Sequence, residues 1–459
     1  MWYRKFMLVL LFVTTLIMGC EKQNMAEVHQ GRLQNINETN LTSSSKPSFE
    51  SKIETAEITK PDGTLTLRRA LALTLMHNPE LRVFSLEIRA AQARQLQAGL
   101  WPNPELEVEV EEVGGTGDRS RFDGAQTTIQ LSQLIELGGK SQKRKKVALF
   151  EKELAGLNYQ NKRLEIFSEA AKAFILVLKA QEKLQLSNEL LKLSEKSFET
   201  VERRVNAGKD SPLEKTRASV ALSNIKIKHR ETRRNLEFAR KQLASFWVQD
   251  NPVFEKALGN LDDIQELPSL NNLMHRLKLN PEYARWEAKI NKSQAVLDLE
   301  KSRAIGDITI SAGLQRFNET DDDAVIFGVS IPLPISDRNQ GARQGAIYDL
   351  AKSRQEHKAA WLKLQNELNR AYQELANSHN QATSLKNEVL PAAIEMFNAA
   401  TTAYREGKVD YLNVLDAQRT LFDVRKEYIE SLANYHIARA DIERLIGREI
   451  ESVNISESE

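Results

Sequence analysis

The stretch Glu105-Leu106-Glu107-Val108-Glu109-Val110-Glu111 alternates a carboxylate with an aliphatic residue from end to end. A period of two places Glu105, Glu107, Glu109 and Glu111 on one face of a strand and the aliphatic residues on the other. Three further segments alternate. Gln126–Ser132 sets Thr127, Ile129 and Leu131 against Thr128 and Gln130. Asp307–Gln315 carries Ile308, Ile310, Ala312 and Leu314 on one face, and Ala324–Ile331 carries Val325, Phe327, Val329 and Ile331. Polar loops at 114–124 and 318–323 join the strands in pairs.

Working outward from each pair, the period changes from two to that of a helix. Downstream of the second pair, Ile347, Leu350, Trp361, Leu364, Leu368, Ala371, Leu375, Ala382, Leu385, Val389, Ala392, Met396, Ala399 and Ala403 follow at helical spacing, with Pro391 as the one breaker. Val147, Phe150, Leu154, Leu157, Leu164, Phe167, Ala171, Phe174, Leu178, Leu190, Leu193 and Val201 copy the pattern after the first pair. A narrow apolar stripe of this kind is a coiled-coil seam. A helix of roughly 65 residues is about 100 Å long, more than a compact domain spans.

The two halves are a repeat. Asn78-Pro79-Glu80 returns as Asn280-Pro281-Glu282, Ala207-Gly208-Lys209 as Glu406-Gly407-Lys408, and Leu213 and Ala218 as Leu412 and Ala417. This predicts structural repeats over 65–247 and 270–447, each with a helix, two strands, a very long helix, a tight turn and a returning helix. A connection, 248–269, joins them, and a polar tail, 448–459, follows.

Composition bounds the reading. The chain has 459 residues, 41% hydrophobic and 28% charged, and Lys+Arg (64) nearly cancels Asp+Glu (63). Mean hydropathy is −0.46. Membrane-spanning helices are excluded over the body of the chain, and no global field draws nucleic acid. Lys140-Ser141-Gln142-Lys143-Arg144-Lys145-Lys146 therefore reads as either a headgroup-facing rim or a solvated first helical turn. No cofactor or metal site is expected. The histidines are scattered without ligand spacing, and neither a phosphate loop nor a nucleophile elbow occurs. Asp321-Asp322-Asp323 reads as a polar turn, and nothing points to an enzyme.

Trp2-Tyr3-Arg4-Lys5 and the short apolar run Phe6–Met18 form a secretory leader, 1–19. It ends at Cys20, the only cysteine. That position suits lipidation of Cys20 and anchoring to the outer membrane, followed by a polar linker over 20–64.

The strands still need partners. An ordinary antiparallel sheet with one wet face fits their pattern, but the helices bury their stripes against one another. Paired segments of this length also fit an outer-membrane barrel. A sheet in lipid must close, and four strands cannot enclose a pore, so three copies would supply twelve.

Three motifs carry a family resemblance. They are Leu131-Ser132-Gln133-Leu134-Ile135-Glu136-Leu137-Gly138-Gly139-Lys140, then Ile331-Pro332-Leu333-Pro334-Ile335-Ser336-Asp337-Arg338-Asn339-Gln340-Gly341. The third is Tyr404-Arg405-Glu406-Gly407 with Leu412-Asn413-Val414-Leu415-Asp416-Ala417-Gln418-Arg419. In this order they resemble the TolC-type outer-membrane efflux family over about 65–447, most closely its cobalt-zinc-cadmium (CzcC-like) branch. The resemblance implies a mainly α chain with a membrane β-barrel: four strands per chain, a twelve-stranded barrel in a homotrimer, and a long periplasmic α-helical barrel. It implies the exit duct of a tripartite pump, docked to a periplasmic adaptor and an inner-membrane RND-type transporter. Heavy-metal cations are the expected cargo, with drugs or small organic molecules as the alternative. A non-conducting periplasmic coiled-coil scaffold is the rival from another class.

In that frame Glu105, Glu107, Glu109, Glu111, Thr128 and Gln130 line the lumen. The glutamates then either favour cations or simply solubilise a face. The resemblance places Gly208, Leu213, Gly407, Leu412, Asn413, Leu415, Asp416 and Ala417 at the periplasmic tip, where adaptor contact and the aperture lie. The family frames Val-Leu with two aspartates. Here Asn413 replaces the first, so Asp416 alone would give a constricting carboxylate ring.

Overall fold

The computed structural model describes residues 63–448 and 450. Cys20, the leader and most of the linker lie outside them. Short elements open the described chain: β1 (Gly63–Thr66), α1 (Leu67–His77) and α2 (Pro79–Ala98). Next come β2 (Glu105–Glu111), β3 (Gln126–Ile135), α3 (Lys140–Asn206) and α4 (Pro212–Ser245). β4 (Phe254–Leu258) and α5 (Leu270–Leu277) occupy the middle. The second half has α6 (Pro281–Arg303), β5 (Ile308–Phe317), β6 (Asp322–Ser330), α7 (Gln340–Ser384), α8 (Leu390–Arg405) and α9 (Tyr411–Ile446). Among the described residues no helix is long and apolar enough to cross a membrane.

The four alternating segments form one antiparallel sheet in the order β2-β3-β5-β6. β3 pairs with β5 from Gln126↔Phe317 to Ile135↔Ile308, so the two repeats share this sheet. β3 runs three residues beyond the expected end, because Gln133 to Ile135 find partners on β5. β6 instead stops at Ser330, one residue earlier than expected. Pro332 and Pro334 beyond it have no N–H to offer a ladder.

α3 is a single helix of 67 residues, about 100 Å at 1.5 Å per residue. Its counterpart runs from 340 to 405 but contains a π-helical segment, Leu385–Val389. There the Leu390 N–H reaches the Leu385 carbonyl. Pro391 is the cause: it brings no N–H, and its ring crowds the carbonyl four residues back. One widened turn relieves both faults.

The repeated Asn-Pro-Glu explains how short helices complete long walls. Asn78 Oδ1 accepts from the N–H groups of Glu80 and Leu81, capping α2, with Pro79 at the first helical position. The same side chain donates from Nδ2 to the Phe246 carbonyl at the end of α4, 3.0 Å away. Asn280 repeats this: Oδ1 caps α6 through Glu282 N–H at 2.6 Å, and Nδ2 meets the Leu445 carbonyl at 2.5 Å. α2 thus sits end to end on α4, and α6 on α9.

A second sheet was not legible in the sequence. β1 pairs with β4 in parallel, bringing the end of the linker against the connection between repeats. Leu65 and Phe254 are wholly buried there, with Leu73, Phe174, Leu243 and Trp247. Gln181 closes the outer edge of β4, accepting from Ala257 N–H at 2.8 Å and donating to its carbonyl at 3.0 Å. Arg240 donates to the Phe254 carbonyl. A bare edge that would recruit another strand is removed in this way.

Candidate functional site: sheet faces, helix wall and tip

The register divides the sheet into two chemically distinct faces. Leu106, Leu131, Ala312 and Phe327 stand in one cross-strand row, and Val108, Ile129, Leu314 and Val325 in the next. These side chains cover one face; those on the edge strands β2 and β6 stand exposed, and those on β3 and β5 are half-buried. Rows on the other face read Glu105-Ser132-Ser311-Gly328, Glu107-Gln130-Gly313-Ile326 and Glu109-Thr128-Gln315-Ala324. All four glutamates are brought together as a column on exposed β2, at roughly 6.8 Å per step of two residues. Gln130 Nε2 donates to Glu107 Oε2 at 2.6 Å. Thr128 lies on this face but is buried, its short side chain sunk between Glu109 and Gln315. No arginine or lysine occurs in these rows. Arg316 lies on the apolar face at its far end, donating to the Asp321 carbonyl at 3.0 Å and to Asp323 Oδ1 at 3.2 Å. The aspartate run is therefore an ion-paired turn, and the described residues hold no cluster fit for a metal.

At the opposite end of the sheet, the basic run after β3 is mostly structural. Lys140 is only 8% exposed. It donates to Asp307 Oδ1 at 2.7 Å and to the Ile305 carbonyl at 2.6 Å. Arg144 pairs with Glu136. Gly139 and Asn339 take the left-handed conformation as α3 and α7 begin. The expected headgroup rim is thus reduced, since two of its cations are committed to the junction of strand and helix.

The helix wall also has two faces. The chain from 261 to 265 crosses one, fixed by α9. Tyr428 donates to Asp262 Oδ1 at 2.7 Å, Tyr435 to the Gln265 carbonyl at 3.2 Å, and His436 Nε2 meets the Leu261 carbonyl at 2.9 Å. Burial lowers the pKa of His436 and keeps its imidazole neutral at that contact. Val414, Leu421, Tyr428 and Tyr435 recur at seven-residue steps on that side. Asp416, Asp423 and Glu430 follow the same step two residues on, about 200° around the helix, and Arg444 falls in the same register after Ile437 takes the intervening place. Arg444 lines a cleft of about 500 Å³ with Glu165, Arg285, Trp286 and Glu367 on this undecorated side.

The tip consists of two hairpins closed by matching glycines. Gly208 and Gly407 have φ of 69° and 74°. Lys209 N–H returns to the Arg204 carbonyl and Lys408 N–H to the Ala403 carbonyl, each at 2.9 Å. This is the Schellman closure, in which a residue at positive φ lets the chain turn back over the last carbonyls. Leu213 and Leu412, at equivalent places, are 54% and 55% exposed. Asn413 and Asp416 are exposed too. Leu415 and Ala417 depart from expectation. Ala417 is buried in the seam and Leu415 packs against the tip cluster, one on each flank of the side that α9 buries.

A cross-link between the hairpins was missed. Arg204 grips Asp210 with two bonds, of 2.8 and 3.0 Å, and Tyr404 from the other hairpin donates to Asp210 Oδ2 at 2.5 Å. The Arg204 hydrogen bonds, then that from Tyr404, hold the Asp210 carboxyl below its ordinary range against the opposing pull of burial. Burial, then Asp210, pushes the Tyr404 phenol up. Burial raises Tyr411 to about 12. No sequence signal marks it: the second repeat has Val409 in place of Asp210, but Ser211 and Pro212 also differ from Asp410 and Tyr411.

A family model described as outer membrane efflux protein matches residues 70–247 and 274–448. Among curated relatives, the cobalt-zinc-cadmium resistance protein CzcC of Cupriavidus metallidurans is 36% identical over 386 residues, 84% of this chain and 91% of the relative. The nickel and cobalt resistance protein CnrC of the same species is 24% identical over 287 residues, covering 62% of this chain and 66% of CnrC. Among solved structures, the Campylobacter jejuni CmeC outer membrane channel superposes with a TM-score of 0.70 at 14% identity, covering 93% of this chain and 97% of that one. At that identity the likeness speaks for the fold alone.

Proposed function

The chain belongs to the outer membrane efflux protein family, and from that premise we propose that it is the exit duct through which a tripartite pump discharges heavy-metal cations across the outer membrane. One observation carries this reading: a four-stranded sheet with an exposed apolar face, a carboxylate column on the other face, and two open edges. Lipid tolerates no unpaired edge, so β6 of one copy pairs with β2 of the next. Three copies then close twelve strands, with the apolar rows outward and Glu105, Glu107, Glu109 and Glu111 inward. The undecorated helix face becomes the inner wall, since the other bears the β1–β4 sheet. Asp416 then points into the duct near its tip, and the exposed Leu213 and Leu412 are offered to a periplasmic adaptor. That adaptor links the duct to an inner-membrane transporter of the RND type. Cys20 tethers the chain to lipid.

Metal cargo is supported by the 36% identity to a cobalt-zinc-cadmium resistance protein over most of both chains. The column of carboxylates makes the same sense, because rings of carboxylates favour cations at close quarters. Deleting the gene and growing the strain on cobalt, zinc, cadmium or nickel tests the cargo, and unchanged tolerance to all four refutes it. Replacing the four glutamates by glutamine and measuring reversal potentials across a planar bilayer tests the column. A loss of cation preference is expected, and unaltered selectivity would show that the glutamates only solubilise a face. Asp416→Ala should weaken divalent block of the conductance, and block at wild-type strength ends its assignment to the aperture.

A further inference from the structure

The apolar face of β6 does not end where β6 ends. Val325, Phe327 and Val329 stand out from the strand at 53%, 82% and 67% exposure. Ile331, Leu333 and Ile335 follow at 57%, 75% and 74%, although the ladder has stopped at Ser330. The first repeat has Leu131, Gln133 and Ile135 at the equivalent places, all partly covered and all paired with β5. Gln133 is polar there and donates to the Pro102 carbonyl at 3.1 Å. The second repeat has thus traded a paired, partly polar end for a bare, wholly apolar strap.

We propose that the strap 331–335 seats in the periplasmic leaflet of the outer membrane, its Ile331, Leu333 and Ile335 side chains inserted among lipid acyl chains below the last strand pairing. The inference rests on the outer-membrane reading and adds a lipid-contact surface outside the sheet. Pro332 and Pro334 are what make it possible. An extended segment near lipid must satisfy its backbone donors, and proline has none. Ile335 N–H is bonded internally to the Leu333 carbonyl at 2.8 Å. The N–H groups of Ile331 and Leu333 and the remaining carbonyls are left to the water of the headgroup region.

A neighbouring copy is the rival occupant, and the geometry disfavours it. A second copy would approach along the edge of β6, in the plane of the sheet. Ile331 instead continues the row of Val325, Phe327 and Val329, which stands normal to that plane. Behind the strap, Pro332 packs on Gly306, where an added Cβ would come within 2.9 Å of the Pro332 ring. The apolar side is therefore the outward one. At the same end of the sheet but beside its other edge strand, Trp101 is 66% exposed and Leu100 50%. An indole is the side chain expected at a bilayer boundary.

The test is nitroxide accessibility on the full chain in vesicles of phosphatidylethanolamine and phosphatidylglycerol, with labels on Leu333→Cys, Ile335→Cys, Ser336→Cys and Phe327→Cys. The parent chain, carrying only Cys20, supplies the background. The expected result is greater collision with oxygen than with a water-soluble nickel chelate at 327, 333 and 335, reversing at 336. Nickel dominance at 333 and 335 with oxygen dominance at 327 overturns the strap and leaves the membrane-spanning sheet intact. Nickel dominance at 327 as well overturns both. Protection from both reagents at 333, with disulfide formation between copies, assigns the strap to the neighbouring copy and likewise overturns the proposal.

Discussion

Asn280→Ala tests whether the repeated Asn-Pro-Glu is a clasp between helices or merely a helix start. The wild-type side chain does two jobs from a site only 4% exposed. Losing the cap bond to Glu282 N–H costs about 1 kcal/mol. Leaving the Leu445 carbonyl buried without its amide partner costs about 1–3 kcal/mol more. At 1.4 kcal/mol per factor of ten, the combined loss of about 2–4 kcal/mol accelerates local opening roughly 30- to 700-fold. Hydrogen exchange on the purified full chain reads this directly, because the two halves of the clasp report from different places: the first turn of α6 and the last turn of α9. Asn280→Asp separates them. It keeps the cap oxygen and removes the donor, so α6 stays protected while the end of α9 exchanges fast. Asn78→Ala should cost less, since Asn78 is more exposed. If Asn280→Asp left the end of α9 as protected as wild type, or Asn280→Ala changed neither terminus, the clasp would be refuted.

Tyr404→Phe removes the one bond joining the hairpins at Asp210, and about 1 kcal/mol of tip stability with it. Exchange near 205–210 should quicken about fivefold, and rates equal to wild type would exclude a restraining role. Because the folded pKa of Asp210 is depressed, its contribution is complete above the ordinary aspartate value near 3.9 and is lost as pH falls through the lower folded value. Tip protection should therefore hold from pH 7 to 5 and decline only in stronger acid, which a pH series of exchange rates checks. Pro391→Ala allows the helix to run on without the widened turn, so slower exchange over 385–390 is expected. Unchanged exchange there would assign the π segment to packing with Leu421 and Val424 rather than to the proline.

The strands were legible because each has one dry and one wet face, and a period of two survives even in a chain this polar. The long helices were legible for the same kind of reason. β1 and β4 were not: Gly63-Thr64-Leu65-Thr66 is too short and too polar to show a period. Its stability comes from α3 and α4, which reach it from far along the chain. Pro391 was visible, but a breaker in a sequence does not say whether the helix will end, kink or widen. Packing against α9 keeps it continuous. The tip glycines announced themselves through the Gly-Lys that recurs after each long helix. Asp210 did not, since its partner Tyr404 is 194 residues away and no local pattern encodes that meeting.

The two asparagine clasps also bear on the order of assembly during export. Asn78 meets Phe246 and Asn280 meets Leu445, so each closes a loop lying wholly within one half of the chain. The first half can fasten itself as soon as it has emerged into the periplasm. The sheet cannot follow suit, because its central pairing joins β3 to β5, one strand from each half. The greasy surface is therefore completed only after the last strand arrives, and the β2–β3 hairpin of the first half must wait with its apolar face in water until β5 joins it.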